Sequence, residues 1–340
     1  MDRLSDEGAG GGVETLDELF PTKGAIPEAL QIGRADAIRE ITERLVQGDD
    51  VLTIEARRVG KSSAIGHGAL VRVHEEYGGV IAQTDLRLSG IQTAAALADA
   101  LVRSALQTGA GEPLKQEKAS RILARTRRFV DGPRARAAAD LSGGGGTLRT
   151  VQAVARLLPG EQPAGVEELR KVLSALDEEA ATHRRPVVVF IDEVQDLGDP
   201  KRWEPGEGLA VQRELERAMR QPGRLVTYAY AGSEETAMEK LFAPGMPLHH
   251  EGERYVLPPI APEAWRHGLS ERFSSDGRVI TAAGINRILE ATDGHPLRTM
   301  QVCRAALRTV RSQRLDQVAA AVIDDAIAQA KRHPSWEPRS

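Results

Sequence analysis

The feature that most constrains this chain is a strand-to-helix junction. The apolar run Val51-Leu52-Thr53-Ile54 leads through Glu55-Ala56-Arg57-Arg58-Val59 into Gly60-Lys61-Ser62-Ser63, where helical periodicity begins. A short apolar run between Gly48-Asp49-Asp50 and a polar loop reads as a strand buried on both faces, as in a parallel sheet. Parallel strands need long crossovers, so the rest of the chain must alternate strands with helices. It does. A helix is expected over Ala35–Val46, where Ala37, Ile38, Ile41 and Leu45 share a face, and another over Lys61–Tyr77. A strand over Gly79–Leu86, a helix over Ile91–Leu106 and an amphipathic helix over Val166–His183 follow. Pro186–Ile191 is the most hydrophobic strand, and after it come a helix (Leu209–Met219), a strand (Leu225–Ala231), a helix (Glu234–Phe242) and a strand near Arg254–Leu257. Beyond Pro262 only helical periodicities remain, at 262–273, 281–292, 296–311 and 316–331. The expected fold class is α/β: a five-stranded parallel sheet covered by helices, followed by a small all-α domain.

Composition fits that architecture. Among 340 residues there are only 5 Phe, 4 Tyr and 3 Trp, so the core must be aliphatic, and an aromatic-lined platform for sugars or single strands is disfavoured. The lone Cys303 excludes an internal disulfide and a multi-cysteine zinc site, and fits a reducing, cytoplasmic setting. No apolar run approaches the roughly 20 residues of a membrane span. The formal charge of −4 argues against wholesale coating of nucleic acid, though not against a local basic patch.

The expected organisation is an acidic, Gly-rich flexible tail over 1–18, the α/β domain over 19–260, the helical domain over 261–332, and a tail over 333–340. The region 109–163 reads as an insertion. It holds the run Gly143–Gly146 and a basic segment with Lys115, Lys118, Arg121, Arg125, Arg127, Arg128, Arg134 and Arg136. That segment reads first as a solvated helix face and second as a nucleic-acid phosphate contact.

The junction itself follows the phosphate-binding pattern G-x-x-x-x-G-K-[ST], with Glu55 in the place of the first Gly. Backbone N–H groups of Arg58, Val59 and Gly60 and the following helix N-terminus present partial positive charge to a phosphate. Gly60 admits close approach, Lys61 reaches the terminal phosphates, and the hydroxyl of Ser62, followed by Ser63, can ligate Mg²⁺. Downstream, Val187–Ile191 ends in Asp192-Glu193. At the carboxyl end of a parallel strand, Asp192 can hold the metal, partly through water, and Glu193 can polarise an attacking water. Solvated strand-terminating acids are the other reading. Ser233, at the end of the fourth strand, can bond a phosphate or water, or cap the helix that follows.

In order along the chain, Ile32-Gly33-Arg34, the Arg57–Ser63 loop, Phe190-Ile191-Asp192-Glu193-Val194-Gln195, Ala231-Gly232-Ser233, Leu257-Pro258-Pro259-Ile260 and Thr292-Asp293-Gly294-His295-Pro296 resemble the motif set of the archaeal-type ATPases. These belong to the AAA+/STAND group of P-loop ATPases, and the resemblance covers about residues 20–312. It implies Gly33 and Arg34 beside adenine and ribose, Ser233 as a γ-phosphate sensor, and Arg298 as a second sensor on a lid helix. It also implies ATP and Mg²⁺ as ligands, and a nucleotide-driven lid in a regulatory ATPase acting as a homo-oligomer or on a separate output-domain protein. A non-hydrolysing nucleotide-binding scaffold and a nucleic-acid-associated motor or loader are the alternatives. His249-His250 reads as loop, and Trp203 and Trp265 as packing anchors.

Overall fold

The computed structural model describes residues 14–55, 58–118, 164–249 and 252–336. Its elements are α1 (Leu16–Leu19), α2 (Ala35–Gln47), β1 (Val51–Ile54), α3 (Lys61–Ala64), a π-helical stretch (Ile65–Ala69), α4 (Leu70–Tyr77), β2 (Val80–Asp85) and α5 (Ala94–Gln107). Then follow α6 (Ala164–His183), β3 (Val187–Asp192), α7 (Glu207–Met219), β4 (Val226–Gly232), α8 (Glu235–Leu241) and β5 (Glu253–Arg254). The last are α9 (Pro262–Ser275), β6 (Val279–Ile280), α10 (Ala282–Thr292), α11 (Pro296–Gln313), β7 (Gln317–Val318) and α12 (Ala320–Lys331). The basic residues from Arg121 to Arg136 and the glycine run at 143–146 lie outside the described residues. No helix among the described residues is long and apolar enough to cross a membrane.

The contacts divide the chain into two compact units. A sheet unit takes 40–56 and 69–256, and a helical unit takes 1–39, 57–68 and 257–340. This grouping departs from a simple division at residue 260, because the chain segments around Gly33 and Gly60 pack with the helical unit.

In the sheet unit all five strands run parallel, in the order β2-β3-β4-β1-β5. Every residue of β3 and β4 is buried, which explains the unbroken apolar runs: interior parallel strands are covered on both faces. The flanking core comes from Leu97 and Leu101 of α5, Leu169, Val172 and Leu176 of α6, and Val211 and Leu215 of α7. Arg170 ties α6 to α7 through two bonds to the Glu214 carboxylate, at 3.0 and 2.6 Å. This bond, working against burial, holds the Glu214 carboxyl below the usual carboxylate range.

The helical unit has its own core. Trp265, Leu269 and Phe273 of α9, Ile285 and Ile288 of α10, Val302, Cys303 and Leu307 of α11 and Ile323 of α12 pack with Leu19 and Phe20. Burial pushes the Cys303 thiol up, so it is a small core residue. The expected tail over 1–18 is corrected at its end. Thr15 and Glu18 close a reciprocal capping box on α1, and Leu19 and Phe20 then enter the core, with Phe20 4.9 Å from Phe273. Two further strands also appear where none was expected. β6 and β7 pair in parallel over two residues each, too short to leave a periodicity.

Candidate functional site

Ile54 of β1 pairs with Gly232 of β4, Ile191 of β3 with Tyr230, and Asp85 of β2 with Asp192, so the strands finish together at one edge of the sheet. Ligands of open α/β sheets bind beyond such carboxyl ends. Asp192 is the last residue of β3, buried, and its Oδ1 accepts the Glu193 N–H at 2.8 Å. Glu193 then leaves the strand in the left-handed region, with φ at 53°. That conformation costs a non-glycine residue about 1–2 kcal/mol, and it turns the chain sharply.

The turn brings the Glu193 carboxylate to the end of β4. Its Oε2 accepts from Ser233 Oγ at 2.7 Å and from Gln195 Nε2. Arg87 Nη1 stands 3.3 Å from the same oxygen, while its Nη2 donates to Asp196 at 2.9 Å and to Glu234 at 3.3 Å. Burial disfavours the Arg87 charge, but the Asp196 bond and the carboxylates of Glu193, Asp196 and Glu234 outweigh it and raise the pKa above the usual arginine value. Asp196 is itself anchored by Arg202 at 3.1 Å, and its carbonyl takes the Trp203 indole N–H at 2.9 Å, so Trp203 is a packing anchor. The position that caps α8 is Glu234, without a side-chain cap bond; the Ser233 hydroxyl instead donates to Glu193.

The residues expected to form a phosphate loop, from Arg58 to Ser63, lie in the helical unit. Gly60 caps α3 in the left-handed region with φ at 100°, a conformation open to glycine, and its carbonyl accepts the Ala64 N–H at 2.9 Å. Lys61 is only 6% exposed, and Ser62 is partly exposed. Ser63 is turned inward, where its Oγ accepts the Ile26 N–H at 3.0 Å and its carbonyl accepts from Gln31 Nε2 at 2.8 Å. Arg58 is exposed and left-handed, with φ at 69°. Upstream, Glu55 still runs beside β4, its N–H bonding the Gly232 carbonyl at 3.4 Å.

Gly33 and Arg34 serve the loop from behind. A Cβ on Gly33 would stand 2.8 Å from Ile260 and 2.9 Å from Ala264, and φ there is +62°, so only glycine fits. Arg34, 5% exposed, donates through Nη2 to the Val59 carbonyl at 2.9 Å and through Nη1 to the Pro258 carbonyl. Its guanidinium thereby joins the phosphate loop to the Leu257–Ile260 segment. Arg34→Ala removes the donor to both carbonyls. We expect it to cost about 2 kcal/mol in denaturant unfolding, with Arg34→Lys recovering part of the loss because a single ammonium matches the fork poorly. An unchanged unfolding midpoint in Arg34→Ala would refute the assignment.

Arg298 lies in the first turn of α11, its Cζ 5.6 Å from the Trp336 ring centroid. The preceding turn holds Asp293 and Gly294 left-handed, at φ 51° and 59°, with His295 at the cap position. Arg87 and Gln31 escaped the sequence reading, and Gln195 stood in the quoted motif without a role. Gln195 carried a signal, standing two residues past Glu193; Arg87 carried only its place just after a strand end.

No protein-family model and no curated protein matches the sequence. Solved structures do. The Walker-type ATPase PABY2304 of Pyrococcus abyssi aligns over 92% of this chain and 75% of its own, at 17% identity and a TM-score of 0.58. The Aeropyrum pernix ORC2 protein in its ADP form aligns over 94% and 73%, at 15% identity and a TM-score of 0.55. The Aeropyrum pernix ORC1 protein, solved in complex with DNA, aligns over 93% and 69%, at 16% identity and a TM-score of 0.52. With the strand order and the helical unit described above, these likenesses show that the chain shares the fold of these archaeal structures, a five-stranded parallel sheet with a helical unit.

Proposed function

We propose that the chain binds ATP with Mg²⁺ and hydrolyses it slowly as a regulatory ATPase. Lys61 holds the terminal phosphates over the loop amides of Arg58, Val59 and Gly60. In the same unit Ser62 would serve the Mg²⁺ and Arg298 the γ-phosphate; in the sheet unit Asp192 would serve the metal, Glu193 the water and Ser233 the γ-phosphate. Bound Mg²⁺ would neutralise charge on the phosphates; the protein's own share of the chemistry is positioning. The observation that carries this reading is the Ser233–Glu193 bond at 2.7 Å. It fixes a carboxylate at the carboxyl edge of a parallel sheet, next to the strand-terminal Asp192. The ADP form of the Aeropyrum ORC2 protein, which shares the fold, supports adenine nucleotide as the ligand.

One observation favours a second reading, a nucleotide-binding scaffold without turnover. The water-orienting carboxylate is engaged by Arg87, Gln195 and Ser233 together, and it must give up part of that set to reach a water. Measuring ATP binding and phosphate release with Mg²⁺ and with excess chelator, at several protein concentrations, distinguishes them. The proposal expects Mg²⁺-dependent binding and slow multiple turnover. A rate that climbs with protein concentration would show that a neighbouring subunit completes the site. Binding with no release identifies the scaffold, and absence of binding refutes both.

A further inference from the structure

Two arginines that the motif order assigns to the nucleotide are held by one short segment of the helical unit. After α12 the chain turns at His333 and passes through Pro334 and Ser335 to Trp336. The Ser335 carbonyl accepts from Arg58 Nη1 at 3.1 Å, and the Trp336 ring lies against the Arg298 guanidinium at 5.6 Å. The segment is fastened in place. Gln301 Nε2 donates to Ser335 Oγ at 2.7 Å, the Ser335 N–H to His333 Nδ1 at 3.2 Å, and the Trp336 N–H to the His333 carbonyl at 2.9 Å. Trp336 is partly buried against the helical core. Arg298 and Gln301 are one turn apart on α11, so a single helix face receives both Trp336 and Ser335. Residues 333–336, at the start of the segment read as a tail, thus have defined contacts.

Both arginines have neutral partners here, a carbonyl oxygen and an aromatic face. Guanidinium prefers phosphate, to which its paired N–H groups make charge-assisted bonds about twice as strong as neutral ones. Arg58 is moreover held in the left-handed region, with φ at 69°, a conformation that persists only where surrounding contacts maintain it. A terminal phosphate and residues 335–336 would thus draw on the same two cations.

We infer that residues 333–336 form an internal strap that competes with the terminal phosphate of a bound triphosphate for Arg58 and Arg298, so that triphosphate binding and strap release are coupled. The inference rests on the ATP-binding reading. One neutral hydrogen bond and one cation–π contact at part-exposed positions amount to about tenfold in an equilibrium, and the strap weakens triphosphate binding by that factor. A diphosphate lacks the group that Arg298 would meet, so it is affected less.

The test measures Kd for a non-hydrolysable ATP analogue and for ADP, both with Mg²⁺, in the wild type, Trp336→Ala and Gln301→Ala. Gln301→Ala unhooks Ser335 without altering either arginine. The expected result is analogue binding about tenfold tighter in Trp336→Ala and about threefold tighter in Gln301→Ala, with ADP changed less than about twofold. The analogue should also shift wild-type tryptophan emission, whereas ADP should not, and the shift should vanish in Trp336→Phe. If Trp336→Ala does not fold, Gln301→Ala and the emission change decide. Folded variants that bind the analogue no tighter than a nucleotide-binding wild type overturn the strap and leave the ATP reading standing. Failure of all three proteins to bind either nucleotide overturns both. Binding by the variants alone supports the strap in its strongest form.

Discussion

Glu193→Gln should retain ATP and lose at least a hundredfold in phosphate release. The substitution is isosteric, and the amide oxygen can still accept the Ser233 hydroxyl, which donates to the carboxylate at 2.7 Å. Arg87 keeps Asp196 at 2.9 Å and Glu234 at 3.3 Å, so its own anchorage survives. What disappears is the negative charge able to take a proton from an attacking water. Loss of a positioned general base costs about 10²–10⁴ in rate, whereas binding, which we assign by proposal to Lys61 and Ser62, should change by less than about threefold. Single-turnover phosphate release and analogue binding in the same preparation separate the two. A variant releasing phosphate at the wild-type rate would remove Glu193 from the mechanism. It would also make the Arg87–Gln195–Ser233 arrangement around it a structural one.

Much of the sheet was legible because burial on both faces leaves a mark on sequence. Val51–Ile54 and Val187–Ile191 are apolar runs; the first is a strand with the expected bounds, and the second, expected over Pro186–Ile191, is a strand over Val187–Asp192. The helices were legible through their apolar faces. What failed was structure made by pairing alone. β6 and β7 are two residues each, and the stripe of one face cannot appear in so short a piece. The α1 capping box was in principle readable as Thr15-x-x-Glu18, but the Gly-rich composition just before it dominated the reading. At the site, residue type was readable and direction was not. The resemblance implied Gly33 and Arg34 beside adenine and ribose; in the structure Arg34 is 5% exposed and donates to the carbonyls of Val59 and Pro258. Ser63 likewise reads as a loop hydroxyl and folds inward to Ile26. A side chain's sense, toward ligand or toward brace, depends on partners 25 to 37 residues away or more, and no local pattern carries it.

Lys61→Ala should leave a folded protein and weaken ATP binding about a hundredfold. Lys61 opens α3 directly after the left-handed Gly60, and alanine is the best helix former, so the turn and the helix are preserved. The lysine is only 6% exposed, an uncommon placement for an ammonium group, whose desolvation weighs against the fold. An anionic phosphate at this helix start would offset that cost. A charge-assisted bond to phosphate contributes about 1.5–3 kcal/mol, and the upper part of that range corresponds to a factor of about a hundred in Kd. The helix N-terminus and the loop amides remain in the variant, so residual binding should persist and fall more steeply with added salt than hydrophobic contacts would allow. Calorimetric titration of ATP, with circular dichroism on the same samples, checks both halves. A folded Lys61→Ala protein with wild-type affinity would place the nucleotide elsewhere and refute the phosphate-loop assignment. An unfolded one would show that the buried lysine is part of the core, and the affinity test would then pass to Ser62→Ala, whose hydroxyl is partly exposed and whose loss should reduce the Mg²⁺ dependence of binding.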